Sequence, residues 1–228
     1  MQSPAPISVI IPVYNGEKYL LECLNSVFQQ TTPPAEVIVV NDGSTDTTLQ
    51  KLEAYPGISL IISTENRGPS ATLNEGISHA TQPWIAFLDA DDCWISQKLE
   101  WQYQYLRQDT AIKILFGRML QFHSPELSAE EKAKIYCPNV PEMGWVKPTM
   151  LVHHSVFAEV GYFNETLRHG DFIDWFERVK EAGVKFDMID EVVLRRRLHL
   201  NSLTRQLSFQ KDYARLLKER LDRKRNLK

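Results

Sequence analysis

Short apolar runs alternate with amphipathic stretches along the first half of the chain. Residues 7–13 (ISVIIPV) and 36–40 (EVIVV) are β-branched runs that end in turn residues, which is typical of buried parallel strands. Between them, residues 17–30 place apolar side chains at helical spacing, and Pro33 and Pro34 end the helix. This order predicts a βαβ unit.

The alternation continues further along the chain. Helices are predicted over residues 45–55 and 70–80, and strands over 58–62 and 84–88. Such a pattern is typical of an α/β chain with an open, mostly parallel sheet flanked by helices. The later part predicts strands at 112–117, 150–153 and 185–189 and helices at 96–108, 156–160 and 172–182. Residues 122–148 have no regular period and are predicted to form a mobile loop that sets specificity.

Polar residues follow each of the first four predicted strands. In open parallel sheets, ligands bind beyond the carboxyl ends of the strands. The residues at these ends are Pro12, Tyr14 and Asn15, then Asn41, Asp42 and Gly43, then Asn66, Arg67 and Gly68, and finally Asp89-Ala90-Asp91-Asp92. Acidic residues and glycines therefore converge on one edge of the sheet.

The last of these segments places three carboxylates within four residues. Their mutual repulsion is unfavourable unless a cation or hydrogen-bond donors offset it. Mg²⁺ or Mn²⁺, held by one or two carboxylates and the phosphates of a nucleotide, accounts for the segment economically. The alternative is an acidic turn that caps the helix beginning near Trp94.

Composition narrows the class of protein. The chain has 228 residues, 43% hydrophobic and 24% charged, which fits one large globular domain. No apolar run reaches the roughly 18 to 20 residues of a membrane span, and residues 1–6 lack the features of a signal peptide. Cys23, Cys93 and Cys137 are too widely spaced for a metal knuckle or a disulfide framework. We therefore expect a cytoplasmic protein that is neither exported nor inserted in a membrane.

The charge is unevenly distributed. From Arg195 to the end there are 12 Lys and Arg against 3 Asp and Glu, whereas the whole chain has a net charge of −3. The near-zero total argues against a general nucleic-acid binder. The basic end can meet an anionic membrane surface or an acidic partner, or it can be a solvated helix face.

Four segments between residues 8 and 94 resemble the family 2 glycosyltransferases in order and spacing. They are SVIIPVYNGEKYLLECLNSVFQQ, EVIVVNDGSTDTT, ENRGPSATLNEGISHA and WIAFLDADDCW. The resemblance extends more weakly to about residue 204. It implies the A-type glycosyltransferase fold and an inverting transfer from a nucleotide-diphospho-sugar donor, expected to be UDP-linked. It also implies Mn²⁺ or Mg²⁺ and a glycan or lipid-linked hydroxyl acceptor.

The resemblance divides the chain into a single domain and a C-terminal appendage. Residues 1–94 form the predicted nucleotide-sugar half and 95–204 the acceptor half. Residues 205–228 form a predicted basic amphipathic helix, which either lies on a membrane surface or packs on the domain or on another subunit of an oligomer. Its apolar stripe consists of Phe209, Tyr213, Leu216, Leu217 and Leu221.

Several donor-binding residues follow from the resemblance. Pro12 and Tyr14 match the nucleobase pocket, and Asp42 matches the carboxylate that accepts a hydrogen bond from the uracil N–H. Alternatively, Tyr14 belongs to the core and Asp42 opens an Asx-turn. Gly68 and Asn74 match a flexible loop near the donor.

Position 73 departs from the family pattern. The family often has Arg before the matched Asn, where this chain has Leu73, so we expect Arg67 to substitute. Aromatic side chains that can stack on a sugar, or belong to the core, are Tyr136, Trp145 and Trp175.

The metal site is also assigned by resemblance. Asp91 matches the metal ligand, Asp89 faces the ribose or sugar, and Asp92 orients the site. His199, within RRRLHLNS, matches a further metal contact. A lone histidine is otherwise more often structural.

Inverting transfer needs one carboxylate as a general base. Family members typically have an acidic pair at a helix start, and this chain has HGDFIDWFER at 169–178 instead. Asp171 is the predicted base and Asp174 the runner-up one turn away, unless Asp171 is merely an N-cap. Because the adjacent pair is missing, a catalytically silent member that binds nucleotide sugar or serves as a scaffold is the alternative.

Overall fold

The computed structural model describes residues 3–167 and 170–200. The first half alternates strands and helices as predicted, with bounds that differ by a few residues. Its elements are β1 (Ala5–Val13), α1 (Leu20–Phe28), β2 (Pro34–Asn41), α2 (Thr48–Glu53), β3 (Leu60–Ser63), α3 (Pro69–His79) and β4 (Trp84–Phe87).

The second half mixes very short strands with two long ones. Its elements are β5 (Cys93–Trp94), α4 (Lys98–Gln108), β6 (Ile114–His123), α5 (Ala129–Ala133), β7 (Glu142–Met143), a 3₁₀ turn (Lys147–Thr149), β8 (Leu151–His153), α6 (Ser155–Val160), α7 (Asp171–Glu181) and β9 (Phe186–Leu198). The predicted C-terminal helix lies outside the described residues.

These strands form one mixed sheet in the order β3-β2-β1-β4-β8-β6-β9-β5, with β7 beside β6. The strands β3, β2, β1 and β4 are mutually parallel, as the alternation predicts. Beyond β4, β8 is antiparallel to both neighbours, whereas β6 and β9 are parallel. The expected mostly parallel sheet therefore holds for the first four strands. The second half lacks the regular strand–helix alternation of the first, so its sequence pattern did not predict the strand directions.

Helices cover both faces of the sheet. Leu20 and Leu24 of α1 and Leu99 of α4 belong to one buried apolar cluster. Leu73 of α3 and Trp175 of α7 belong to the other. Strands β1, β2 and β4 are therefore buried on both faces over most of their length, which explains their continuous apolar runs, whereas the edge strand β3 is partly exposed.

The predicted mobile loop at 122–148 is wrong in part, because the segment contains regular structure. Strand β6 extends to His123, and α5 begins with a capping box. In that box Glu131 N donates to Ser128 Oγ at 3.2 Å, and Ser128 N donates to Glu131 Oε2 at 2.8 Å. The Ser-x-x-Glu spacing was the available sequence signal.

Within residues 3–167 and 170–200, no helix has both the length and the apolar character needed to cross a bilayer.

Candidate active site

The loop after β1 is fastened to the loop after β2. Asn15, at φ 50°, donates its backbone N–H to Ser44 Oγ at 2.9 Å. Its side-chain oxygen accepts the backbone N–H of Thr45 at 2.8 Å. Tyr14, 53% exposed, therefore stands on a fixed loop rather than in the core, next to the half-buried Pro12. An exposed ring beside the carboxyl ends of the strands is available for stacking.

Asp42 holds the loop that follows β3. Its carboxylate is 4% exposed and accepts the backbone N–H groups of Arg67 and Gly68, both at 2.9 Å. It also accepts the hydroxyl of Thr64 at 3.2 Å. Gly68 has φ 90°, a conformation that favours glycine, and precedes α3. Asp42 thus binds the loop after β3, and these contacts differ from the Asx-turn alternative.

Two predicted donor residues make contacts within the protein. The Arg67 guanidinium forms a salt bridge with Glu75 at 2.8 Å. The Asn74 amide donates to Phe163 O and to Glu165 Oε1, both at 2.9 Å, and accepts from Phe163 N at 3.0 Å. Asn74 therefore fastens the segment that leads to α7, a structural role that the sequence did not indicate.

The acidic segment forms a tight turn directly after β4. Asp92 N donates to Asp89 O at 3.0 Å. Strand β9 holds this turn through Arg197, which donates its backbone N–H to Asp92 Oδ1 at 2.7 Å and its Nε–H to Asp91 O at 2.9 Å. The end of β9 is thereby fixed against the end of β4.

Arg197 is a structural residue that sequence analysis missed. It is 3% exposed, yet its guanidinium contacts Glu22 Oε2 at 2.6 Å and Ser124 Oγ at 3.4 Å. It also lies 4.6 Å from the centroid of the Tyr19 ring. A buried guanidinium needs such a full set of acceptors, and these come from distant parts of the sequence.

The structure brings the two predicted metal ligands together. His199 Nε2 lies 2.9 Å from Asp91 Oδ2, and the imidazole is buried. The imidazole also contacts the Tyr19 ring, with centroids 5.0 Å apart. Tyr19 in turn donates its hydroxyl to Glu126. The contacts of Glu126 with Tyr19 and of Tyr19 with His199 therefore help to fix the orientation of the imidazole.

These residues fit a divalent cation. Burial and the neighbouring Asp91 raise the pKa of Asp89 to about 6, and burial raises the pKa of Asp92 well above its ordinary value. A bound cation relieves this crowding of carboxylates. A carboxylate and an imidazole suit Mn²⁺ and also serve Mg²⁺.

The protein supplies few ligands of its own. Across the described ranges, no set of three His, Cys, Asp or Glu side chains is arranged to hold a metal ion. A divalent cation bound by Asp91 and His199 would therefore need further ligands, and substrate phosphates and water are the usual ones for Mg²⁺.

Helix α7 carries the predicted base. Gly170, with φ 76°, is its N-cap, and Asp171 is its first residue. The Asp171 carboxylate is buried and accepts Lys147 Nζ at 2.6 Å, and α7 has no side-chain cap. The N-cap alternative for Asp171 is therefore wrong. Asp174 is also buried, but its carboxylate accepts Arg178 Nε on the same helix at 3.1 Å.

The acidic turn and the start of α7 share one electrostatic environment. The charges of Lys147 and Arg196 oppose the increase in the pKa of Asp89, and the charge of Asp171 adds to it. The predicted base therefore lies close enough to the acidic turn to interact with it.

The three aromatic candidates for sugar stacking have different environments. Trp175 is fully buried and donates its indole N–H to Gly161 O at 3.0 Å, so it belongs to the core. Trp145 is partly exposed and packs on Phe176, with ring centroids 5.8 Å apart. Tyr136 is 86% exposed.

Comparison with known proteins finds a family and several relatives that are similar to this chain. The family described as Glycosyl transferase family 2 matches residues 8–163. A relative in Rickettsia prowazekii, an uncharacterised glycosyltransferase, is 29% identical over 216 residues, covering 87% of this chain and 65% of the relative. Glycosyltransferase AglE of Haloferax volcanii is 30% identical over 211 residues, covering 85% and 67%.

Solved structures share the fold. S. aureus TarS 1–349 in complex with UDP-GlcNAc superposes with a TM-score of 0.70 at 21% identity, covering 89% of this chain and 61% of that chain. Mannosyltransferase PcManGT of Pyrobaculum calidifontis, in complex with GDP-Man and Mn²⁺, gives 0.65 at 22% identity, covering 88% and 60%.

The chain spans less than two thirds of the Rickettsia prowazekii relative and of both solved chains. The match nevertheless covers more than half of this chain and includes all four sequence motifs. With the A-type glycosyltransferase fold around its acidic turn, the chain belongs to glycosyl transferase family 2.

Proposed function

We propose that this protein is a metal-dependent inverting glycosyltransferase that moves a sugar from a nucleotide-diphospho-sugar to a hydroxyl group of a glycan or glycoconjugate precursor. The observation that carries the proposal is the Asp91–His199 contact at 2.9 Å, next to an acidic turn that interacts with Asp171.

The donor is proposed to be UDP-linked. Asp42 has a buried carboxylate at the carboxyl end of β2, and Pro12 and the exposed Tyr14 lie at the carboxyl end of the neighbouring β1. A carboxylate can accept further hydrogen bonds beyond its three contacts, including one from the N–H of a uracil ring. The TarS complex with UDP-GlcNAc supports a donor with a uridine nucleotide. The PcManGT complex with GDP-Man makes a guanosine nucleotide the alternative.

Asp89, Gly68 and Arg67 are also proposed to lie near the donor. Asp89 is proposed to face the ribose or sugar, and Gly68 to leave room for the donor, since the space beside its Cα contains no protein atom within 4 Å of a Cβ position. Arg67 can reach the donor if it leaves Glu75, an exposed and therefore weak partner.

Asp91 and His199 would hold Mn²⁺ or Mg²⁺. The cation, when bound, supplies positive charge that neutralises the departing diphosphate. The Mn²⁺ in the PcManGT complex supports this cofactor.

Asp171 is proposed to act as the general base. Its carboxylate takes the proton of the acceptor hydroxyl while that oxygen forms a bond to the anomeric carbon. The bond from this carbon to the diphosphate oxygen breaks, and its electron pair leaves with the nucleoside diphosphate. One displacement inverts the configuration. Asp174 is less suited because Arg178 holds its carboxylate within α7.

A panel of nucleotide sugars tests the function directly. UDP-GlcNAc, UDP-glucose and GDP-mannose are each measured for binding and for release of the free nucleotide, with Mn²⁺, with Mg²⁺ and with EDTA. We expect metal-dependent binding of one donor and slow release by transfer to water. Binding without any release, also in the presence of glycan or lipid-linked acceptors, would favour the catalytically silent alternative.

We also propose that the protein works at the cytoplasmic face of a membrane. The sequence carries its excess of positive charge at the C-terminal end, where anionic lipid would attract it. We propose the same division of the chain into a donor half, an acceptor half and a C-terminal helix. The helix contacts either the membrane or another subunit of an oligomer.

A further inference from the structure

The 3₁₀ turn that carries Lys147 is held by hydrogen bonds from Trp94 of β5 and Gln102 of α4. Trp94, two residues after the acidic turn, donates its indole N–H to Pro148 O at 2.8 Å. Gln102 of α4 donates to Thr149 O at 2.8 Å, and Thr149 Oγ1 donates to Val146 O at 2.9 Å. The backbone of Lys147 is therefore fixed relative to the acidic turn rather than free in a loop.

The Lys147 side chain crosses from this turn to α7. Its Nζ lies 2.6 Å from Asp171 Oδ2, a short distance typical of a charge-assisted hydrogen bond. The side chains are only 15% and 12% exposed, so water screens the pair weakly. The ammonium also lies 5.2 Å from the centroid of the Phe163 ring, which limits its movement.

A positive charge is needed at this position. The charge of Asp171 acts on Asp89 in the acidic turn, and like charges brought together in a sheltered site repel each other. Without the Lys147 ammonium, this repulsion would favour arrangements in which the Asp171 carboxylate turns away from the acidic turn. That movement would remove it from the place where the acceptor hydroxyl must lie.

We propose that Lys147 is a positioning residue for the transfer reaction, whose ammonium holds the Asp171 carboxylate facing the acidic turn. Lys147 acts through Asp171 and not through the donor. The assignment rests on the proposed function, in which Asp171 is the base.

Release of UDP from UDP-GlcNAc, or of GDP from GDP-mannose, in the presence of Mn²⁺ provides the test. Lys147→Met should lower kcat by about 100-fold, within the range for a lost general base, with KM for the nucleotide sugar unchanged. Lys147→Arg keeps the charge and should recover most of this loss. Lys147→Gln provides a second neutral variant if the methionine variant folds poorly, which thermal unfolding will show.

A double variant of Lys147 and Asp171 distinguishes a role of Lys147 through Asp171 from a role that is independent of Asp171. Because Lys147 acts through Asp171, Lys147→Met combined with Asp171→Asn should be no slower than Asp171→Asn alone, within about twofold. Lys185→Met is the matched control, since Lys185 forms a similar bond to Asp109 at 2.7 Å on the exposed surface. It should leave kcat unchanged.

The outcomes distinguish this assignment from the proposed function. Multiplicative losses in the double variant, or a raised KM with unchanged kcat, would contradict the positioning role and indicate that Lys147 contacts the donor. An active parent with unaffected Lys147 variants would contradict the role of Lys147 alone. A parent that shows neither Mn²⁺-dependent nucleotide binding nor nucleotide release would contradict the proposed function, and the role of Lys147 with it.

Discussion

His199 Nε2 lies 2.9 Å from Asp91 Oδ2, although the two residues are 108 positions apart in the sequence. The contact forms because Arg197, two residues before the histidine, binds the backbone of the acidic turn. The C-terminal end of β9 thus lies against the turn that follows β4. The candidate metal site depends on this junction as much as on its two side chains.

Asp91→Asn should remove metal-dependent nucleotide binding while leaving the fold intact. The substitution deletes a charge and barely changes the shape of the side chain. We expect UDP binding in Mn²⁺ to weaken by about 100-fold or more, since even the loss of a residue that only supports a metal ligand costs about 10- to 100-fold. Calorimetric titration of UDP with and without Mn²⁺ measures this.

Asp190→Asn is the control for that variant, because Asp190 is a highly exposed carboxylate on β9. It should bind UDP and Mn²⁺ like the parent. Equal binding by the Asp91 variant would contradict the metal assignment.

Asp171→Asn should lower kcat by roughly 10² to 10⁴, the range for a lost general base, with little change in donor affinity. Asp174→Asn should be milder in catalysis, since its carboxylate is already bound by Arg178. Steady-state kinetics with the preferred donor compare the two variants. A larger loss in kcat for Asp174→Asn would move the base to that residue.

Asp42→Ala should affect both ligand binding and stability. Removing the carboxylate leaves the N–H groups of Arg67 and Gly68 without their acceptor, which costs about 1–3 kcal/mol of unfolding free energy. UDP affinity should fall more than affinity for inorganic diphosphate, since the proposed contact is to the base. Equal losses for both ligands would show that Asp42 acts only by holding the loop.

The parallel half of the fold and its acidic edge were predictable from local patterns. Continuous apolar runs mark strands buried on both faces, and turn residues mark their ends. The roles of Asp91 as metal ligand and Asp171 as base were assigned by motif resemblance and stay predictions. These signals are local, so one sequence is enough to read them.

The remaining part of the site depends on contacts between distant residues. Lys147 contacts Asp171 and Arg197 contacts Glu22 in the folded protein, although each pair is far apart in the sequence. No periodic pattern in the sequence predicts either pair. Asn74 matched a donor-binding motif, but its amide fastens the segment around Phe163. Long-range pairs like these require the folded structure.

The basic C-terminal end should bind anionic membranes. From Phe209 to Lys228 the sequence has 8 Lys and Arg against 3 Asp and Glu, beside an apolar stripe. Each basic residue near an anionic surface contributes about 1 kcal/mol. Co-sedimentation with vesicles should occur with anionic but not neutral lipid at low salt and weaken as salt rises. Unchanged binding after deletion of residues 217–228 would favour packing or an oligomer.

Lys98 should make the stability depend on pH. It is fully buried, and burial lowers its pKa well below the ordinary value. Its Nζ donates to Gln102 Oε1 at 2.7 Å and lies 4.3 Å from the Trp94 ring centroid. The unfolded chain keeps the Lys98 proton up to about pH 10.4, whereas the folded protein releases it at lower pH. Between these two values the unfolded state binds more protons, so the free energy of unfolding rises with pH.

Lys98→Met removes this titration. The difference in unfolding free energy between variant and parent should therefore shift in favour of the parent between pH 7 and pH 10, by up to about 1.4 kcal/mol per pH unit. Urea unfolding at several pH values measures the difference, which cancels the other titrating groups. Lys134→Met, at an exposed position after α5, is the control and should give a constant difference. A constant difference for Lys98→Met as well would mean that the buried lysine has the same protonation state in the folded and unfolded protein.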